Sequence, residues 1–176
     1  VLNTNRPDIM IIILESFSGY LIGDIGGDSL VTPNFNRYSK EGILFSNFYA
    51  SGSRTDKAIP AILDGYPALP VQSVIKEPKK SQSLPNIVKI LIDQGYNSSF
   101  WYGGEINFAN FNSFVIGSGF RQIITKSNFA PENYNSKWGV HDHVMFKALE
   151  DSIRGIKKPF ISVVLTLSSH EPFDVP

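Results

Sequence analysis

The sequence predicts an α/β sandwich around a mostly parallel sheet, and three observations predict it. Strand-like and helix-like segments alternate along the chain. The first and last strand candidates, Asp8 to Leu14 and Pro159 to Leu167, are continuous apolar runs, the pattern of parallel strands buried on both faces. Between them, Leu84, Ile87, Val88, Leu91 and Ile92 recur at helical spacing, giving one apolar helix face.

After the first strand, Thr32-Pro33 reads as an N-cap followed by proline at the first helical position, opening a helix towards Glu41 that Gly42 ends. Ile43 to Tyr49 is the next strand candidate. A helix follows Thr55 through Ala58, Ile62 and Leu63 and closes at Gly65-Tyr66-Pro67. Pro70 to Ser83 is polar and contains lysines, and is expected as an exposed loop. The amphipathic helix from Ser83-Leu84-Pro85 stops at Gly95, and Tyr96 to Tyr102 is a strand running into Gly103-Gly104. Phe120 to Thr125 is a short strand. Trp138-Gly139 introduces a helix carrying Met145, Ala148, Leu149 and Ile153 before the final strand.

At 176 residues the chain is long enough for one sizeable core. Lys plus Arg and Asp plus Glu balance at 16 each, which removes the basic footprint of a nucleic-acid binder. Cysteine is absent, and with it disulfides, thiolate metal sites and cysteine nucleophiles. The apolar run from Ile9 to Leu14 is too short to cross a bilayer. There is no P-loop and no G-x-S-x-G elbow, and the glycines of Gly23 to Gly27 lack dinucleotide-binding spacing.

In parallel-sheet folds chemistry gathers beyond the carboxyl ends of the strands. That rule selects Glu15-Ser16, Gly52 to Asp56 and Ser168 to Phe173. A carboxylate at Glu15, on the rim of a buried sheet, suits a hard divalent cation, or else a cap or local salt bridge. Thr55, at the start of a helix, is placed to attack phosphorus or sulfur, or simply to cap that helix. Arg54 would neutralise the charge of a transferred group or pair with a surface carboxylate. His170 would bind a phosphate oxygen or donate a proton, or is an ordinary surface histidine. His141-Asp142-His143 looks like a metal cluster, but side chains two apart on a helix face different ways, so no shared metal is expected there.

Taken together, these segments resemble the lipoteichoic acid synthase-like sulfatase domains of the alkaline phosphatase superfamily. The resemblance runs in order through Ile11 to Ser18, Thr32 to Phe35, Gly42 to Tyr49 and Gly52 to Thr55. It continues through Leu63 to Pro67, Tyr102 to Gly104, Trp138-Gly139 with Asp142, and Ser168 to Phe173. It implies an alkaline phosphatase-like three-layer α/β/α sandwich, with residues 1–176 forming the N-terminal portion of one catalytic domain, truncated on its C-terminal side. It implies Glu15 as a ligand of manganese or magnesium, and Thr55 as both ligand and nucleophile, passing through a phosphothreonine. It implies His170 as the group that binds the phosphate or the incoming group, and Arg54 is the further substrate-binding candidate from its position alone.

The function implied is metal-dependent phosphotransfer or phosphoester hydrolysis on a phospholipid or glycan of the cell envelope, phosphoglycerol transfer being the family's habit. The implied location is extracytoplasmic, anchored by transmembrane helices outside this chain. The family's remaining Asp-His metal ligands have no counterpart here, so the 176-residue chain alone is expected to show no turnover. The stretch Glu105 to Phe111 lacks the Trp and Arg that help hold glycerol phosphate, so the resemblance does not carry that headgroup over. Two alternatives stand beside the transferase. A sulfatase-type hydrolase would need a Cys/Ser-x-Pro-x-Arg motif, and the nearest stretch, Ser83 to Ile87, lacks the arginine. A third is a non-catalytic glycan-binding or structural relative, which the presence of Glu15 and Thr55 argues against and the missing metal ligands argue for.

Overall fold

A computed structural model of the chain describes residues 3–174. Among the described residues, β1 (Ile9–Ile13), β2 (Asn97–Tyr102), β3 (Gln122–Ile124) and β4 (Phe160–Leu165) form one parallel sheet in the order β1-β4-β2-β3. The helices are α1 (Pro33–Glu41), α2 (Thr55–Asp64), α3 (Pro78–Ser83), α4 (Ile87–Asp93), α5 (Phe111–Gly117) and α6 (Asp142–Ile153). The chain divides into two compact units, one of the residues up to Glu15 with those from Ser51 onward, the other Ser16–Ala50. No helix among the described residues is long and apolar enough to cross a membrane.

The larger unit has three layers, as predicted. Strand alternation sends Phe100, Tyr102, Ile161, Val163 and Leu165 to one face, where they pack with Ile59 and Leu63 of α2, Val88 of α4 and Phe111 and Phe114 of α5. The opposite side chains, Trp101 and Val164, pack against Met145 and Leu149 of α6. A polar seam crosses that second face. Ser99 Oγ and Ser162 Oγ lie 2.8 Å apart, and Trp101 Nε1 donates to Ser99 Oγ at 3.0 Å, so three buried polar groups satisfy one another.

Local chemistry explains the helices that carry the site. Helix α2 contains Pro60, which has no N–H for the carbonyl of Asp56. Ser73 Oγ donates to that carbonyl instead. The helix stops at Gly65, whose φ of 64° is left-handed. Helix α4 starts where Asn86 Oδ1 accepts from Val88 N at 2.9 Å and Lys89 N at 3.4 Å.

Several expectations are corrected. β1 is not buried on both faces. Ile9, Ile11 and Ile13 join the core, but Met10 and Ile12 are about half exposed, because β1 is an edge strand and α6 covers only its neighbours. Ile43 to Tyr49 forms no strand. No strand among the described residues offers it a ladder partner, and Ile43, Phe45, Phe48 and Tyr49 are exposed. The stretch Pro70 to Ser83 is not a plain loop. It contains α3, and Val74 and Ile75 are buried beside α2. The amphipathic helix begins after Asn86 rather than at Ser83, and α5 has no counterpart among the elements the sequence predicts. In the smaller unit α1 is found as predicted, although Thr32 Oγ1 donates to Leu21 O at 3.0 Å rather than capping the helix.

One buried carboxylate strains the fold. Asp64, at the end of α2, is 9 % exposed and its Oδ2 has no hydrogen-bond partner. Desolvation raises its pKa from 3.8 to about 6, while the hydrogen bond from Asn86 and the charge of Lys89 pull it back. The native state therefore holds this proton more tightly than the unfolded chain does. Its stabilising contribution is present below about pH 4 and is lost as pH rises through 6. Asp64→Asn is expected to raise stability by about 1–2 kcal/mol at pH 7.5 and to change nothing at pH 4. Chemical denaturation of both proteins at the two pH values checks this.

Candidate active site

Parallel strands bring distant residues to one rim of the sheet. At the end of β1, Glu15 N donates to Thr166 Oγ1 at 2.8 Å, and Thr166 N donates to Ile13 O at 3.0 Å, so the end of β4 fixes the backbone of Glu15. Its carboxylate reaches the start of α2, where Thr55 Oγ1 donates to Glu15 Oε2 at 2.9 Å. Thr55 is the first residue of that helix and Arg54 its N-cap. The two residues singled out from their strand-end and helix-start positions thus share a hydrogen bond across 40 positions of sequence.

They open onto a cavity of about 340 Å³. Beside Glu15 and Thr55 its wall holds His170 and Leu167 from beyond β4, and Tyr102, Glu105, Phe108 and Trp138 from two further loops. His170 is therefore part of the site. Its Nδ1 is 2.9 Å from the carbonyl of Glu171, an acceptor only, so Nδ1 carries the proton and Nε2 is the exchangeable nitrogen. Arg54 is exposed and lies outside the cavity wall.

Tyr102, Glu105, Phe108 and Trp138 were not identified from the sequence as site residues, although Tyr102 and Glu105 flank a Gly-Gly pair at a strand end. Those glycines permit the arrangement. Gly139, with φ of 154°, lets its segment approach Gly103, since a Cβ there would lie 2.2 Å from Gly103 O. Val140 N donates to Gly103 O at 2.9 Å, and Gly104 bridges to Gly139. This contact holds the segments bearing Trp138 and Glu105 side by side over the sheet. Trp138 Nε1 donates to Glu171 O at 2.6 Å, and its ring centroid lies 4.8 Å from that of His170.

Asp142 ties the same region from below. Its Oδ1 accepts from Leu167 N at 2.7 Å and its Oδ2 from Ser168 N at 2.9 Å, while its own N–H donates to Ser168 Oγ at 3.0 Å. Asp142 is thus a brace for the His170 loop more than a helix cap. His141 and His143 are closer than helix geometry predicts, with rings stacked at 6.0 Å, because His141 is the extended N-cap residue of α6. His141 is buried with Nδ1 3.4 Å from Ser168 Oγ.

The electrostatics of the cavity are negative. Burial raises the pKa of the Tyr102 hydroxyl, and the carboxylates of Glu15, Asp142 and Glu105 push it in the same direction. Glu15 and Thr55 supply hard oxygen donors of the kind magnesium or manganese takes. They fit such an ion in kind and provide only part of its shell; no group of three or more His, Asp or Glu among the described residues is arranged to hold a metal.

Comparison with known proteins agrees with this geometry. The sulfatase family model matches residues 7–176. Lipoteichoic acid synthase 2 of Bacillus subtilis is 24 % identical over 172 residues, covering 94 % of this chain and 26 % of that protein. The lipoteichoic acid synthase of Staphylococcus saprophyticus is 30 % identical over 179 residues, covering 97 % of this chain and 27 % of that protein. Phosphoglycerol transferase I of Xanthomonas campestris is 33 % identical over 90 residues, 47 % of this chain and 13 % of that protein. Among solved structures, an alkaline phosphatase superfamily protein of Vibrio parahaemolyticus superposes with a TM-score of 0.90 at 34 % identity, over 99 % of this chain and 43 % of that one. The lipoteichoic acid synthase LtaP of Listeria monocytogenes gives 0.81 at 21 %, over 97 % and 42 %. The chain therefore spans about a quarter of the synthases it matches and less than half of these solved structures.

Proposed function

The chain belongs to the sulfatase family, within the alkaline phosphatase superfamily, and on that premise we propose that it carries the nucleophile of a metal-dependent cell-envelope phosphotransferase. The observation that carries the reading is the hydrogen bond from Thr55 Oγ1 to Glu15 Oε2 at the mouth of the cavity. A hydroxyl already directing its proton at a carboxylate, on the first residue of a helix, is arranged to become an attacking oxygen. The N–H groups of the first turn of α2 favour the anionic phosphoryl group beside it.

In the proposed reaction a bond forms between Thr55 Oγ1 and phosphorus as the donor's P–O ester bond breaks. The hydroxyl proton passes to Glu15, and the departing alkoxide takes the Nε2 proton of a doubly protonated His170, whose Nδ1–H stays on the Glu171 carbonyl. An acceptor alcohol, or water, then gives its proton to His170 and attacks the phosphothreonine. Thr55 leaves and recovers its proton from Glu15, so both residues end as they began. Manganese or magnesium would be held by Glu15 and Thr55 and, when bound, would offset negative charge on the phosphoryl oxygens. His170, held by Trp138 and the Glu171 carbonyl, orients the group undergoing transfer. Arg54, exposed beside the helix start, approaches substrate only as a contact from the rim. The remaining metal ligands would come from sequence outside this chain, which makes the isolated chain inactive. An extracytoplasmic location, with the donor drawn from a lipid, belongs to the same reading.

The test is to quench the full-length protein during turnover of a lipid donor and to map the modified peptide by mass spectrometry. The transferred phosphoryl group is expected on Thr55. Turnover with the adduct on another residue, or with none, overturns the assignment.

A further inference from the structure

A second cavity, of about 400 Å³, lies at the other end of the sheet. Glu15, Tyr102 and Leu167 stand at or beyond the carboxyl ends of their strands. The wall here comes instead from the amino ends, with Asn97, Ser98 and Ser99 opening β2 and Arg121 and Gln122 opening β3. Ser152 of α6 and the connection from α6 to β4, through Lys157, close it. The volume is that of a small-molecule site.

Its charge is one-sided. Arg121 and Lys157 line it, and no carboxylate does. Neighbouring cations are paired, Arg154 with Glu150 at 2.7 Å and Lys158 with Asp8 at 2.7 Å. Neither Arg121 nor Lys157 has an ion pair among the described residues. Neutral groups hold these two cations in place. Asn97 Oδ1 accepts from Arg121 Nη1 at 3.1 Å, and Asn97 Nδ2 donates to the carbonyl of Lys157 at 2.7 Å. One asparagine therefore ties the guanidinium to the segment carrying Lys157 and cancels neither charge.

Surface cations alone are met by water. What marks this place is that they stand over buried hydroxyls. Ser98 is 4 % exposed, its Oγ accepts from Arg121 N at 3.0 Å, and its own proton has no acceptor among the described residues. A buried donor in that state calls for an acceptor. The β-strand side of the wall thus offers donors, while the α6 side has the reverse character. The carbonyl end of a helix carries roughly half a negative charge and accepts hydrogen bonds. A bare oxyanion has acceptors only and leaves the helix end unmet. A neutral sugar leaves Arg121 and Lys157 unmet. With Ile156 the one apolar side chain in the wall, an acyl chain or aromatic ring finds no surface to cover. A planar guanidinium matches a carboxylate through two parallel hydrogen bonds.

We propose that this cavity binds a sugar acid, its carboxylate held by Arg121 and Lys157 and its hydroxyls by Ser98, Gln122 and Ser152. The same chemistry is offered by a free sugar acid and by one residue of an acidic glycan. The assignment stands independently of the chemistry at Thr55.

The test is calorimetric titration of the full-length protein. Galacturonate is expected to bind at least tenfold more tightly than glucose, acetate or inorganic phosphate. Arg121→Gln and Lys157→Gln should each weaken it at least tenfold. Lys157→Gln is the safer variant for folding, because Asn97 grips the backbone carbonyl of Lys157 and not its ammonium group, and its melting curve should match wild type. A galacturonate tetramer that binds more tightly than the monomer identifies an acidic glycan as the source, and equal binding identifies the free sugar acid. No binding of galacturonate, phosphate binding just as tightly, or galacturonate binding that a folded Lys157→Gln protein retains in full, overturns the proposal.

Discussion

Thr55→Ala in the full-length protein is expected to lower kcat by at least about a thousandfold, the scale on which removal of a covalent nucleophile acts. The fold should survive. Thr55 is half-buried at the first position of α2, and its side chain donates a hydrogen bond to Glu15. Losing that bond costs about 1–2 kcal/mol. The loss should fall on kcat with KM little altered, because the rest of the cavity wall, His170 and Trp138 included, is unchanged. Thr55→Ser, which keeps an attacking hydroxyl, should retain part of the rate. Steady-state kinetics on p-nitrophenyl phosphate with manganese decide the matter. Wild-type turnover by the alanine variant would remove Thr55 from the chemistry.

Asp142→Ala should produce the largest loss of stability. The substitution strips acceptors from two backbone N–H groups, those of Leu167 and Ser168, at the point where β4 enters the His170 loop. Hydrogen bonds to a charged acceptor are worth about 1.5–3 kcal/mol each, and partial exposure places the pair at about 3 kcal/mol. For a chain of this size that lowers Tm by roughly 6–12 °C. Asp142→Asn keeps one acceptor oxygen and should fall between. Calorimetric melts of the three proteins give the order directly. Equal Tm for wild type and Asp142→Ala would show that the loop is held by other contacts.

Much of the architecture is legible in the sequence because strand and helix periods are local properties. The apolar run of β4 and the spaced leucines and isoleucines of α4 announce their elements without reference to anything else. Ile43 to Tyr49 has the same apolar look and forms no strand, since a strand also needs a neighbour to bond with, and no local pattern supplies one. Helix α5 is masked in the sequence because Phe111, Phe114 and Val115 follow an Asn-rich stretch that reads as loop. The site divides along similar lines. Glu15 and His170 follow from the rule that chemistry collects beyond strand ends, whereas Thr55 follows from its place at a helix start, since the strand expected before it does not form. Tyr102, Glu105 and Trp138 depend on two backbones meeting at Gly103 and Gly139, a contact between segments 36 residues apart that no spacing rule encodes. Asp142 stands out in the sequence only as the middle of a His-Asp-His cluster, while its partners lie at Leu167 and Ser168.

The pairing of β1 with β4 has a consequence for how the chain is made. Ile9 aligns with Ile161, so partners in that ladder are separated by 152 positions. β1 leaves the ribosome 152 positions ahead of β4, the strand it pairs with among the described residues. Until β4 emerges, Ile9, Ile11 and Ile13 lack the ladder that places them against the core. Pairing across so long a loop is intrinsically slow, and a waiting apolar strand invites association with other chains. Glu15 is anchored through Thr166, so its hydrogen bond with Thr55 takes its final geometry only once the β1–β4 ladder has closed.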